Sequence, residues 1–315
     1  MRALITGASG FAGAWLCREC AAAGDEVVAL SRRGAAPDGS RGVAVDLRDG
    51  DSVRAAIRET RPDVVYHLAA LTSVGRSWSQ PAQTVADNDL IAVGLLEALR
   101  TEAPDARVLW VSSCEVYGEP EALPTPENAR LAPANPYAVS KLAGELLTEV
   151  YRAAYELRIV RARPFSHSGP GQLSIFLLSS LARQAAEGRL AEATQLRIVV
   201  GNPDTRRDFT DVRDIVRGYR MLAGSDAAAG EAFNVSTGVS VSAGEQVDLL
   251  AELLAPIAVE RVIDPTRVRA REVMELRGDP TRLKSLTGWE PRIPLSQTMA
   301  DTVAWWEREL AREPP

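Results

Sequence analysis

The chain has 315 residues, of which 46% are hydrophobic and 25% charged, with a net charge of −6. That length holds one large α/β domain or two smaller units sharing a core. The acidic balance offers no basic face for nucleic acid and no polybasic membrane anchor, and no apolar run approaches the roughly 20 residues of a membrane span. The opening MRALITG lacks the charged-then-apolar layout of a signal peptide. A cytoplasmic location is therefore expected.

RALIT (2–6) reads as a buried strand, followed by a helix from Phe11 to Ala23 that Gly24 closes. EVVALS (26–31), GVAVDL (42–47), DVVYHLAA (63–70), RVLWVSS (107–113) and LRIVRARP (157–164) read as further strands. Helical patterns near 50–60, 82–102 and 137–155 lie between them, which is the mark of a doubly wound parallel sheet. Residues 118–136, rich in Pro, Glu and Asn, are expected to form an exposed loop. Beyond 164 the alternation loosens into helical patterns near 173–188, 211–224, 243–254 and 295–311, mixed with short strands at 196–201 and 232–236. The expected division is an α/β dinucleotide-binding (Rossmann) domain over 1–165, with 206–235 returning to it. A smaller mixed α/β substrate unit would occupy 166–315.

Three cysteines, Cys17, Cys20 and Cys114, are too few for a disulfide framework. A zinc site on Cys17 and Cys20 would need two more ligands, and only His67 and His167 supply imidazoles. No metal is expected, and the pair reads as helix packing.

TGASGFAG (6–13) joins the first strand to the first helix. Gly7 permits a tight turn, Gly10 lets the backbone approach a pyrophosphate, and Gly13 allows close helix–strand contact, with Ser9 and Phe11 in the same turn. The helix N-terminus offers free N–H groups to the phosphates. At the end of the second strand stand Ser31, Arg32 and Arg33, with no acid for a ribose 2′-hydroxyl. Arginine pairs a 2′-phosphate bidentately, so NADP(H) is favoured and NAD(H) is the alternative. Asp46 and Leu47 should lie by the adenine, Leu68, Ala69 and Ala70 by the cofactor backbone, and Asn88 on a helix facing the fourth strand. Ser113 ends the fifth strand, where open α/β sheets hold ligands. Tyr137 and Lys141 in NPYAVSK are one helical turn apart and share a face. Around a nicotinamide these three residues would make a hydride-transfer site: Tyr137 moves a proton, Ser113 orients the substrate oxygen, and Lys141 with the positive charge of the oxidised ring is expected to lower the Tyr137 pKa.

With TGASGFAG, YAVSK, HLAA (67–70), RPFSHSGPGQ (163–172), RRDFTDVRDI (206–215), FNVSTG (233–238) and TGWEPRIPL (287–295) in hand, the chain resembles the extended short-chain dehydrogenase/reductase family along essentially its whole length. It is most similar to the sugar-nucleotide branch, which holds epimerases, dehydratases, decarboxylases and reductases. The resemblance implies that Arg207 and Arg269 hold the nucleotide diphosphate. It implies that the loop from Pro164 through Ser166 to His167 covers the nicotinamide and touches the sugar. Glu115 stands where 4,6-dehydratases keep a base, while Cys114 replaces the acid of dTDP-sugar dehydratases. The implied activity is reduction of an NDP-4-keto-6-deoxyhexose, GDP-linked, with 4-epimerase or 4,6-dehydratase chemistry, and more remotely a non-catalytic NADP-binding regulator, as alternatives. A homodimer is also implied, through a four-helix bundle of 82–102 and 137–155 carrying Leu142, Leu146, Leu147 and Val150.

Overall fold

A computed structural model describes residues 1–268 and 272–312. Its centre is a seven-stranded, all-parallel sheet. The strands are β1 (Arg2–Thr6), β2 (Glu26–Ser31), β3 (Ser40–Ala44), β4 (Val64–His67), β5 (Arg107–Val111), β6 (Arg158–Pro164) and, much later in the chain, β10 (Ala232–Val235). Their spatial order is β3-β2-β1-β4-β5-β6-β10, so the winding reverses between β1 and β4. Register sets Thr6 level with Leu30 and with His67, which brings the carboxyl ends of β1, β2 and β4 to one edge.

Alternation along each strand divides the core in two. Ala3 and Ile5 of β1, with Val64 and Tyr66 of β4, face α1 (Phe11–Ala22) and the later helix α7 (Val212–Ala223). Leu4 and Val65 face the other layer, where α2 (Gly50–Thr60), α4 (Pro81–Glu102) and α5 (Pro136–Tyr155) lie; the short α3 (Val74–Ser79) precedes α4. Both faces of the sheet are covered, which is why its strands read as unbroken apolar runs. Cys17 and Cys20 are fully buried in the α1 layer, as the packing reading expects. Trp289, also fully buried, donates its indole N–H to the Asp214 carbonyl of α7 at 2.9 Å.

The rest of the chain builds a second layer system. A small sheet joins β7 (Ser166–Ser168), β9 (Arg206–Asp211), β11 (Ser240–Ser242) and β13 (Glu275–Leu276). The strands β8 (Gln195–Val200) and β12 (Ala258–Ile263) pair separately. The helices α6 (Leu177–Leu190), α8 (Ala243–Leu254) and α10 (Leu295–Leu310) share one apolar cluster, and α9 (Thr281–Thr287) follows β13. Of the segment 206–235, α7 and β10 pack on the large sheet, whereas β9 belongs to the small one. No helix among the described residues is long and apolar enough to cross a membrane.

Three expectations need correction. The third strand is Ser40–Ala44 rather than 42–47, and the fourth stops at His67 rather than Ala70. Asp46, Leu47, Leu68, Ala69 and Ala70 therefore lie beyond the ladder, in the loops that rim the crevice. The segment 118–136 is not simply an exposed loop. Thr125 is fully buried, receives no solvent, and its N–H bonds the Arg277 carbonyl at 2.7 Å.

Candidate active site

The glycine turn forms as its spacing requires. Gly7 has φ +70°, and the Gly10 N–H bonds the Gly7 carbonyl at 2.9 Å. A Cβ on Gly13 would come within 2.2 Å of the Gly7 oxygen, so α1 can pack this close to the turn only without one. A Cβ on Gly7 would meet the Ala69 nitrogen at 2.9 Å, across the β1–β4 gap. Gly10 is the N-cap of α1 and no side chain caps that helix. Its first-turn N–H groups are thus left for an anion, and the turn fits a dinucleotide pyrophosphate. Ser9 is exposed on this turn, and Phe11 stacks on His167 with ring centroids 6.1 Å apart.

Around the turn, the predicted cofactor residues serve in different ways. Ser31 is buried and gives its hydroxyl to the Ala35 carbonyl at 2.8 Å. Arg32 and Arg33 are exposed and make no hydrogen bond or ion pair with a described residue. Asp46 is gripped by the Arg48 guanidinium at 2.7 Å, which holds its carboxyl down to about 2. Leu47 is buried beside it, and Leu68 to Ala70 are half-buried. Asn88 binds the chain itself. Its amide accepts from Leu71 N–H at 2.8 Å and donates to the Ser140 hydroxyl at 2.9 Å, tying the loop after β4 to α5.

On the other wall, α5 is started by sequence chemistry. Asn135 caps it through the Ala138 N–H at 2.9 Å, and Pro136 fills its first position. Gly144 lets α5 lie against Trp110, where a Cβ would sit 3.2 Å from the indole. Lys141 then reaches the Val111 carbonyl at 2.8 Å. Ser113 follows β5 as the cap of a short 3-10 turn, Cys114–Tyr117, and receives the Glu115 N–H at 3.2 Å. The Ser113 hydroxyl also lies near enough to the Tyr137 phenol to favour its ionised form. The neighbouring Ser112 hydroxyl is buried without a partner, the kind of orphan a bound group satisfies. Asn135 donates to the Glu115 carboxylate at 2.9 Å.

On balance the protein's own groups act on the Tyr137 phenol in one direction. Burial, with Glu115 and Cys114 adding to it, pushes the Tyr137 phenol well above its ordinary value, and Ser113 opposes this. Desolvation penalises the charged phenolate and so favours the phenol. Lys141 is itself pushed down to about 8 by burial, with Glu145 opposing. His67, bonded to the Thr6 hydroxyl at 2.9 Å and packed on Trp110, is held down to about 3 by burial and by the Lys141 charge.

The loop assigned to the nicotinamide and the sugar leads from the large sheet into the small one. Pro164 ends β6, Ser166 opens β7, and His167 bonds the Phe165 carbonyl at 3.0 Å through Nδ1. Arg207 on β9 donates to the Arg206 carbonyl at 2.8 Å and acts electrostatically on Cys114, so it stands near the Ser113–Glu115 turn. Arg269 lies outside the described residues. Reasoning from sequence missed Glu145, Arg163 and Tyr117, which form a buried cluster behind Lys141. The four-residue spacing from Lys141 to Glu145 was the one available signal.

A doubly wound sheet with a glycine turn at its switch point, and Ser, Tyr and Lys gathered at the carboxyl edge, defines an extended short-chain dehydrogenase/reductase. A family model described as GDP-mannose 4,6 dehydratase matches residues 4–302, and the chain belongs to that family. It is 38% identical over 315 residues to GDP-6-deoxy-D-mannose reductase of Pseudomonas aeruginosa, covering 99% of both chains. It is 32% identical to UDP-glucose 4-epimerase of Mycolicibacterium smegmatis, covering 98% of this chain and 99% of that one. Among solved structures it resembles RMD from Pseudomonas aeruginosa complexed with NADPH, with a TM-score of 0.86, 35% identity, and coverage of 98% and 100%.

Proposed function

We propose that the protein is an NADPH-dependent reductase of a 4-keto-6-deoxyhexose nucleotide, with GDP-4-keto-6-deoxy-D-mannose as substrate. GDP-D-rhamnose, or its C4 epimer GDP-6-deoxy-D-talose, is the product. The observation that carries this reading is the end-to-end 38% identity with GDP-6-deoxy-D-mannose reductase. The glycine turn, Arg32 and Arg33 would hold NADPH, which when bound supplies a hydride to C4. Reduction then needs an acid, and a phenol kept protonated by burial suits that direction. Tyr137 gives its proton to the C4 oxygen, Ser113 orients that oxygen, and the Lys141 ammonium stabilises the phenolate left behind. Solvent returns the proton. Arg207, Ser166 and His167 would grip the sugar nucleotide, and Glu115, held by Asn135, would face the sugar.

The deciding experiment follows the loss of reduced nicotinamide when purified protein meets GDP-4-keto-6-deoxy-D-mannose with NADPH, and then with NADH. Rapid oxidation, faster with NADPH, is expected. If neither cofactor is consumed the reductase reading fails. Turnover of an ordinary NDP-hexose without added reductant would then point to epimerase or dehydratase chemistry.

A homodimer belongs to the same reading. Leu90 and Val93 of α4 and Val139, Leu146 and Val150 of α5 are exposed apolar side chains, at 39% to 61% exposure, on two helices packed together. Leu142 and Leu147 are half-buried instead, Leu147 against the sheet-side core. Light scattering should give twice the chain mass, and Leu146→Glu with Val150→Glu should return it to one. A cytoplasmic place of action agrees with three free, buried thiols.

A further inference from the structure

Lys141 is only 7% exposed and has lost most of its hydration. The groups around it come from three elements. The Val111 carbonyl of β5 accepts from it, and His67 at the end of β4 is neutral. Tyr137 stands one turn earlier on α5, and Glu145 one turn later is the carboxylate that acts on it. Glu145 is itself among the most deeply buried carboxylates, its side chain 2% exposed, and it faces Arg163 of β6, 5% exposed.

The pair is fully engaged. Arg163 Nε and Nη2 donate to the Glu145 oxygens at 3.0 and 2.7 Å. Its Nη1 donates to the Tyr117 hydroxyl at 3.0 Å and to the Glu127 carbonyl at 2.9 Å. Tyr117 in turn donates to Asn234 Oδ1 at 2.7 Å. Arg163 also lies over the Tyr117 ring, 5.1 Å from its centroid. A buried ion pair is seldom worth more to stability than apolar residues of the same volume. One turn beneath a buried lysine, however, a fixed carboxylate supplies what solvent no longer does.

We propose that the buried Glu145–Arg163 ion pair is a positioning device that fixes a carboxylate one helical turn from Lys141 and so favours the Lys141 ammonium. The Arg163 guanidinium fixes the Glu145 carboxylate by hydrogen bonds to both its oxygens, and Glu145 acts on Lys141 through its charge. Both act through Lys141 rather than on substrate. The catalytic consequence rests on the reductase reading above; the charge relation does not.

The composition makes a direct test available, because the chain contains only two lysines, Lys141 and Lys284. Full-length protein labelled with 13C-lysine gives two side-chain NMR signals, and Lys284→Arg assigns them. In the wild type the Lys141 signal should titrate near 8. In Glu145→Gln, which keeps shape and removes charge, the midpoint should fall by about one pH unit or more. A midpoint that stays where the wild type has it overturns the proposal. Should Glu145→Gln fail to fold, Glu145→Asp retains the charge but withdraws it, and a smaller fall in the same direction is expected. No fall in that variant also overturns the proposal. With substrate, the alkaline limb of kcat should move with the NMR midpoint while KM for the sugar nucleotide holds. A midpoint that moves without the rate profile sustains the ion pair's role and sinks the catalytic reading of Lys141.

Discussion

On the β1 side the crevice is walled by backbone: three glycines, a helix start with no side-chain cap, and the small residues after β4. On the β5–α5 side it is walled by buried polar side chains, Ser113, Tyr137 and Lys141, each fixed by a neighbour. The first wall would take any affinity for anions from N–H groups that every residue carries, so its demand is the absence of Cβ atoms. The second wall draws its chemistry from protonation states that burial sets. A wall of the first kind fails sterically, and a wall of the second kind fails by titration.

The comparison can be broken most severely at Tyr137. Tyr137→Phe should lower kcat by about 10³-fold, within the range for a lost general acid, while NADPH binding followed by fluorescence stays nearly unchanged. Retained turnover would mean that the second wall holds no acid. Gly13→Ala should do the reverse. Its Cβ would need to sit 2.2 Å from the Gly7 oxygen, and we expect roughly 3 kcal/mol of lost stability, read by urea denaturation, together with weakened cofactor binding.

His67 sharpens the titration side. Its folded value of about 3 lies below the usual 6.5, so between these two pH values the unfolded chain binds a proton that the folded one refuses. Stability present above 6.5 is therefore lost as pH falls through this window, about 2 kcal/mol of it by pH 5. His67→Gln should remove that share of the loss when urea midpoints at pH 7 and pH 5 are compared. The smallest effect is expected at the rim. Removing the Arg32 and Arg33 side chains together should cut the preference for NADPH over NADH about tenfold, with kcat on NADPH at saturation unchanged. An unaltered ratio would place the 2′-phosphate elsewhere.

How much was legible follows from the same contrast. The turn at 6–13 and the strands β1 and β2 lie where their residues say, because a glycine spacing and a short apolar run are local signals. The ends of β3 and β4 were misread because apolar residues continue past the ladder. Leu47 and Leu68 are buried or half-buried in crevice loops and not in strands. Asn88 is expected on a helix facing the fourth strand; its amide partners, Leu71 and Ser140, lie 17 and 52 residues away and only the fold brings them together.

By itself the sequence determined the doubly wound fold class and the family, and it pointed to a glycine turn at 6–13 and to Ser113, Tyr137 and Lys141 as a candidate set. Each of these is written in residue types at short spacings. Only the tertiary structure decided which way Tyr137 titrates, that Thr125 is interior, and that Glu145 meets Arg163 behind Lys141. Those are properties of burial and of contacts between distant segments, and both depend on what the folded chain brings around a group rather than on the group itself.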